Sequence, residues 1–599
     1  MKAAPKASEA GAGVAGGAPT GPAGGAGAGV AGGAPTGPAG GAGAPTGPAG
    51  GAGAPAGASA TTQAPVAAGA TPGLEGAPTT EAAFTSRRHR ATAHLEEWLF
   101  PLVPKSRAKR AIVVGGYVAG CAAVAVLALL RQSGTPAWRT LWAEDGRVFY
   151  SQALSMPFTR TLVTPHDGYI QLYPRLVAEL ATVLPPRDAS WVMALAGAIS
   201  LGVISGLVFH MTRAQVASPV LRALLGLSMV LLPVAGAELL DNAVNVPWWL
   251  FFACFWALLW RPRTLLGRVG AASLCALTAA SEPLTALLLP VAALRVAALG
   301  TPYPSGRILA HAARTTGNAW STKSSRWFTA QAPVVGLLAG LVFQAAAIMT
   351  HAGNRGVAAA FSPGSAKGLG QSLAVRTGLG LVTGVRATDS LVVHDRALAT
   401  ALGALVLLVV GAVGALCPSL GARVFSAVAV FTGLVCFLVP TWLRDVAPLM
   451  AAGKVQPASR YQAVPLLLFL SVVVVEVEGW VAGVSRRRPG HVTPLAGGSE
   501  DGERHPRALA SGTLWAHRDR HGARSGQRDF IAAAICVALL APTWVADFRD
   551  ANARSSGPSW PAGVARAAER CAGSSLGEVA LPIDPRGWTA VVPCRRLQP

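Results

Sequence analysis

Glu144 and Asp145 stand side by side in TLWAEDGRVFY (140–150), among aromatic residues and just after the first long apolar run. Adjacent carboxylates repel each other and gain nothing from lipid, so the pair needs a reason. A carboxylate held near a hydroxyl can take its proton, which is the work of a general base. The plainer reading is a solvated helix start, with the aspartate as cap and the glutamate in the first turn.

Other polar residues fall at comparable places. AELLDNAVNVPWWLFF (237–252) offers Glu238, Asp241, Asn242 and Asn245, Glu282 sits in a Ser-Glu-Pro break, and Ser459-Arg460-Tyr461 opens a later apolar run. If these ends converge, they make a cavity lined by carboxylates, amides, an arginine and aromatics. Each also has a structural reading: rim solvation for Glu238 and Asp241, a helix cap for Glu282, a headgroup-level anchor for Trp248 and Trp249, and snorkelling for Arg175. His166-Asp167-Gly168 reads as a turn. No P-loop, zinc-ligand spacing or GxSxG elbow occurs, which argues against an ATP-driven pump.

The elements that must position these residues are membrane helices. Of 599 residues, 52% are hydrophobic and 13% charged, against about 25% charged in soluble domains; mean hydropathy is +0.44. The net charge of +22 sits largely beside apolar runs, where topology and lipid headgroups account for it better than nucleic acid does. Four positive charges in PKSRAKR (104–110) place the N-terminus in the cytoplasm and TLWAEDGRVFY outside. The apolar runs then thread as eleven spans, about 111–130, 191–210, 222–238, 246–262, 269–281, 283–299, 329–350, 397–417, 424–441, 461–483 and 530–546. Parity between basic inner segments makes 269–299 a hairpin with an outward tip, a single re-entrant segment being the alternative. On this threading nearly all the carboxylates of the membrane core fall on the outer side.

The expected architecture is therefore an all-α polytopic membrane domain over 93–546. Its first outer loop, 131–190, carries an interfacial helix in LYPRLVAELATVL, and its cytoplasmic loop, 484–529, holds nine arginines. Residues 1–92, with APTGPAGGAG at 18–27, 34–43 and 44–53, have little to bury and read as a disordered cytoplasmic tail. Residues 547–599 form an outer tail too short for a substantial core of its own. Six of the eight cysteines lie in or beside apolar spans. Cys571 and Cys594 lie in the outward tail, where an oxidising compartment favours a disulfide contributing about 3 kcal/mol.

The acidic pair in a long first outer loop after the first span resembles the GT-C superfamily of membrane glycosyltransferases, especially multi-spanning actinobacterial forms. The resemblance covers roughly 105–545. It implies transfer of a sugar from a polyprenyl-phosphate donor to a cell-envelope acceptor outside the cytoplasmic membrane. On it, Asp145 is the first choice for the base and Glu144 the second. Arg147, Arg175 and Arg460 are placed to hold the leaving phosphate, since a guanidinium offers a bidentate fork. Glu238, Asp241, Asn245, Glu282 and Tyr461 would bind substrate, and a divalent cation is an open requirement. The partners implied are the lipid-linked donor, the acceptor and membrane lipids. A transporter or lipid flippase, or a non-catalytic envelope protein of the same fold, is the alternative.

Overall fold

All eleven apolar runs form helices. The computed structural model describes residues 95–102, 110–299, 330–350, 366–417, 419–444, 458–484, 522–549 and 552–598. The tract 1–92, the basic segment from Arg307 to Arg326 and most of the arginine-rich 484–529 loop lie outside the described residues. Among the described residues, six helices are long and apolar enough to cross a membrane: Ala111–Arg131, Pro186–Ala214, Ala332–Thr350, Arg396–Leu416, Leu420–Leu443 and Arg460–Trp480. The shorter apolar helices are Pro219–Leu231, Val246–Leu259, Leu265–Ser281, Pro283–Leu299 and Phe530–Ala546.

In chain order we label α1 (Arg110–Arg131), α2 (Leu172–Thr182), α3 (Ala189–Met211), α4 (Pro219–Leu231), α5 (Val246–Leu259), α6 (Leu265–Ser281), α7 (Leu289–Leu299) and α8 (Ala332–Thr350). Then come α9 (Ala366–Leu373), α10 (Gly380–His394), α11 (Arg396–Leu416), α12 (Leu420–Arg444), α13 (Arg460–Val484), α14 (Gly522–Ala546) and α15 (Trp560–Ala572). Every residue of α5 is buried. A helix apolar on all sides belongs at the centre of a bundle, and α3, α6, α7 and α13 pack around it. Where α8 meets α6, Gly336 and Gly340 lie against the carbonyls of Ala272 and Ala276, and a side chain at either glycine would collide with that backbone. Small residues four apart give this close approach.

Helix ends alternate between two poles. At one, the end of α1 meets the ends of α4 and α14 through Arg131, Tyr173 N–H donates to Ser281 Oγ at the end of α6, and the start of α13 meets Glu238. At the other, Tyr117 in α1 bonds His210 at the end of α3, the Glu478 carboxylate accepts from Ala217 before α4, and Arg295 joins the ends of α5 and α7 to the start of α8. The 269–299 segment makes a hairpin whose tip lies at the first pole. Glu476 and Glu478 of α13 are carboxylates away from that pole, so acidic residues are less segregated than expected.

Two expectations need correction. The third apolar helix stops at Leu231, not 238: Pro233 has no N–H and disfavours helix at the residue before it, and Leu232 turns to ψ 125. The freed carbonyls of Val230 and Leu232 are taken by the Arg131 guanidinium. And Trp248 and Trp249 are 6% and 1% exposed, so they belong to the core rather than to a headgroup belt. The 93–546 domain is helical as expected, and the tail adds one antiparallel hairpin, β1 (Glu578–Ile583) with β2 (Trp588–Pro593).

The short tail stands by sharing a core. Trp560, Val564, Ala567, Val579, Leu581, Ile583, Ala590 and Val592 pack with Leu141, Trp142, Phe149, Tyr150 and Leu154 of the first loop. Cys571 and Cys594 are disulfide-bonded, 5.4 Å apart at Cα, which ties α15 to the end of β2. The strand alternation, with Val579, Leu581 and Ile583 inward, is what a half-buried hairpin requires.

Candidate functional site

The backbone around the acidic pair is tightly specified. Ala143 has φ 33, and its N–H bonds the Asp584 carbonyl while Asp584 N–H bonds Leu141 O at 3.0 Å. The first loop is thereby locked to the tail. Ala143, Asp241 and Ala458 are three of the four non-glycine residues with positive φ among the described residues. They immediately precede or belong to the polar groups singled out by sequence. Left-handed backbone at such residues costs about 1–3 kcal/mol each and persists only where its surroundings hold it.

Asp145 is 1% exposed. Its two oxygens accept the Ala243 and Val244 N–H groups at 2.8 and 2.9 Å. Burial pushes its carboxyl up to about 7, partly offset by the Ala243 amide and Arg554. It tethers the 238–245 loop. That loop is further stitched by Asn242 and Asn245, whose side-chain amides both donate to the Glu238 carbonyl at 2.7 Å. Asp241 is buried with neither carboxylate oxygen hydrogen-bonded; burial raises it to about 7 against the pull of Arg554 and Arg131.

Glu144, Glu238 and Arg460 are each partly exposed. Glu238 Oε1 accepts the Arg460 N–H at 2.9 Å and the Ser459 hydroxyl at 3.4 Å. The Arg460 guanidinium lies over the Tyr461 ring, 5.4 Å from its centre, and the charges of Glu238 and Glu144 both act on it. Tyr461 meets Trp248 edge to face at 5.4 Å. Arg376, buried in the turn between α9 and α10, also feels Glu238 and is pushed down to about 10 by burial. Two carboxylates, two guanidiniums and an aromatic pair thus share one electrostatic neighbourhood at the first pole.

The remaining sequence candidates lie elsewhere. Arg147 stacks on Trp588 of the tail at 4.9 Å. Arg175 does not reach headgroups: it is fully buried, donates to Gln152 Oε1 and the Thr161 carbonyl at 2.8 and 2.9 Å, and covers Phe149. Glu282 accepts from Leu284 N–H at 3.1 Å, capping the 3-10 turn that follows. His166 and Tyr169 pair across Asp167-Gly168, both with positive φ, which is a tight hairpin turn. Among the described residues no three His, Cys, Asp or Glu side chains gather as metal ligands.

Besides Arg376, two arginines central to this pole were not singled out by sequence. Arg131 donates to the carbonyls of Val230, Leu232, Asp547 and Phe548. Arg554 donates to those of Leu240, Asp241 and Ala137 and lies over Trp142. Both partner sets are main-chain oxygens, which carry no side-chain signature. No family model, curated protein or solved structure matches the chain.

Proposed function

We propose that this is an integral membrane glycosyltransferase of the GT-C kind, with eleven membrane helices, a cytoplasmic N-terminus and its site at the extracytoplasmic pole. The reading is supported above all by the grouping of Glu144, Glu238, Arg460 and Arg376 where the first loop meets the start of α13. Glu144, whose side chain makes no hydrogen bond among the described residues, takes the proton of the acceptor hydroxyl as it attacks the anomeric carbon. Asp145 holds the loop rather than the proton, so the order of preference between the two carboxylates reverses. Arg460 and Arg376 hold the donor phosphate, which leaves as an anion and needs no strong general acid. Glu238 positions Arg460 through the backbone, and Tyr461 with Trp248 forms an apolar wall.

Transport is favoured by one observation: Glu476 is fully buried within α13, bonded by the Ser426 hydroxyl at 2.7 Å, and buried carboxylates in spans often mark pathways. The two readings separate in one assay. Purified protein in lipid is given a panel of radiolabelled polyprenyl-phosphate sugars and acceptors, with Glu144→Gln beside wild type. Transfer by wild type, reduced at least a hundredfold in the variant, is the expected result. Transfer unchanged in Glu144→Gln removes that residue as base. Movement of the intact donor between leaflets without transfer supports the transporter.

A further inference from the structure

A second polar feature lies on the flank of the same pole, away from Glu144 and Arg460. An open groove of about 480 Å³ runs between Trp138 and Arg139 of the first loop, Leu184, Arg187 and Asp188 before α3, and Trp191 in its first turn. Pro561 of α15 forms its far wall. That volume is in the range of small-ligand sites. Its walls are fixed: the Ser190 hydroxyl donates to Trp138 O and the Trp560 indole donates to Pro186 O, each at 2.8 Å.

The chemistry of the lining is amphipathic in a particular way. Trp138 and Trp191 are 37% and 50% exposed, and the Arg139 side chain has no hydrogen-bond or ion-pair partner among the described residues. Arg187 Nε lies 3.7 Å from Asp188 Oδ1, and the arginine side chain is 72% exposed, which leaves its guanidinium open to a ligand. With one carboxylate against two guanidiniums, the groove carries a net positive charge. Below it, Trp191, Ile199, Val203 and Leu207 are the exposed large apolar residues of α3. At about 100° per residue they wind in a slanted strip that turns about 160° around the helix from first to last. From Trp191 to Val203 is roughly 18 Å at 1.5 Å per residue, close to the roughly 15 Å depth of one leaflet.

We propose that this groove seats the phosphate headgroup of an anionic membrane lipid, with an acyl chain lying along the exposed strip of α3. The two arginines bind the phosphate oxygens, and the tryptophans bracket the headgroup at the depth where indoles settle. The seat joins first loop, α3 and α15 from outside, so a bound lipid braces the contact between loop and tail. It does not depend on the transferase reading, since none of its residues belongs to that cluster.

Native mass spectrometry of the full chain in detergent, titrated with phosphatidylglycerol or phosphatidylcholine, tests it. The variants are Arg139→Gln/Arg187→Gln, the charge-keeping Arg139→Lys/Arg187→Lys, and Arg586→Gln/Arg595→Gln, which removes equal charge from the exposed tail outside the groove. Expected is a preference for phosphatidylglycerol that falls at least tenfold in the groove glutamine variant, recovers in the lysine variant and holds within twofold in the tail variant. Equal losses in both glutamine variants, no loss in either, or no headgroup preference would overturn the proposal. So would displacement of the lipid by millimolar inorganic phosphate alone, which would make the groove a phosphate site and not a lipid seat.

Discussion

Asp145→Ala tests the division of labour between the two adjacent carboxylates. In the native protein both Asp145 oxygens are occupied, by the N–H groups of Ala243 and Val244 at 2.8 and 2.9 Å, at a position 1% exposed. Alanine leaves two buried donors without acceptors. Each costs roughly 1–3 kcal/mol, so the variant should lose about 2–6 kcal/mol. Asparagine keeps one acceptor but turns an amide N–H toward the second donor, and should lose an intermediate amount. Glu144→Gln removes no side-chain hydrogen bond among the described residues and should lose almost nothing. Intrinsic tryptophan fluorescence on heating the detergent-purified variants gives the order directly. Wild type and Glu144→Gln should melt together, then Asp145→Asn, then Asp145→Ala at least about 4 °C below wild type. Limited proteolysis should cut first within 238–245 in the alanine variant, because that loop loses its tether. If Asp145→Ala melts with wild type, or Glu144→Gln falls as far as it does, the tether argument is wrong.

Stability of the loop-and-tail assembly should depend on pH in an unusual direction. Burial raises Asp145 and Asp241 to about 7 and Asp584 to about 6, from an unfolded value of about 3.9. The folded state therefore binds more protons between about pH 4 and 7, and stability is fully present below that window and lost as pH rises through it. The melting temperature should be higher at pH 5 than at pH 8, with a shallower slope in Asp241→Asn; a flat or rising profile in wild type contradicts the assignment. Gly384→Ala should be strongly destabilising, because Gly384 has φ 75 and an added Cβ would meet the Asp547 carboxylate that accepts Val385 N–H at 2.7 Å. Loss of monodisperse protein on size exclusion, or a large fall in melting temperature, is expected, and an unchanged melt would exclude this contact as a constraint.

Apolar runs gave away eleven helices, because lipid-facing and core-facing residues obey the same simple rule of composition, but not α9 and α10, which carry too mixed a composition to stand out. Local chemistry was legible too: the turn at His166-Asp167-Gly168 and the proximity of Glu238 to Arg460 follow from where the runs end. What escaped was non-local. The period-two pattern of EVALPI is visible in sequence, yet the tail has too few apolar residues to stand alone, and the core it shares belongs to Trp142 and Phe149 far up the chain. Asp145 looked free because backbone amides leave no trace in composition. Arg131 and Arg554 hold carbonyls exposed where helices break, as at Leu232-Pro233, and a guanidinium in that role is indistinguishable by type from one facing lipid.

The joining of tail to first loop also has a consequence for biogenesis. Val591 N–H bonds the Ser151 hydroxyl across a separation of 440 residues, so the segment bearing Glu144 emerges early and waits for almost the whole chain before its core closes. Its completion requires α14 to end at the pole where α1 ends, which brings β1 and β2 beside the first loop. A chain without residues 552–598 has a bundle whose first loop lacks a finished core. Residues 552–598 thus finish a core that the first loop cannot complete from its own neighbours in sequence.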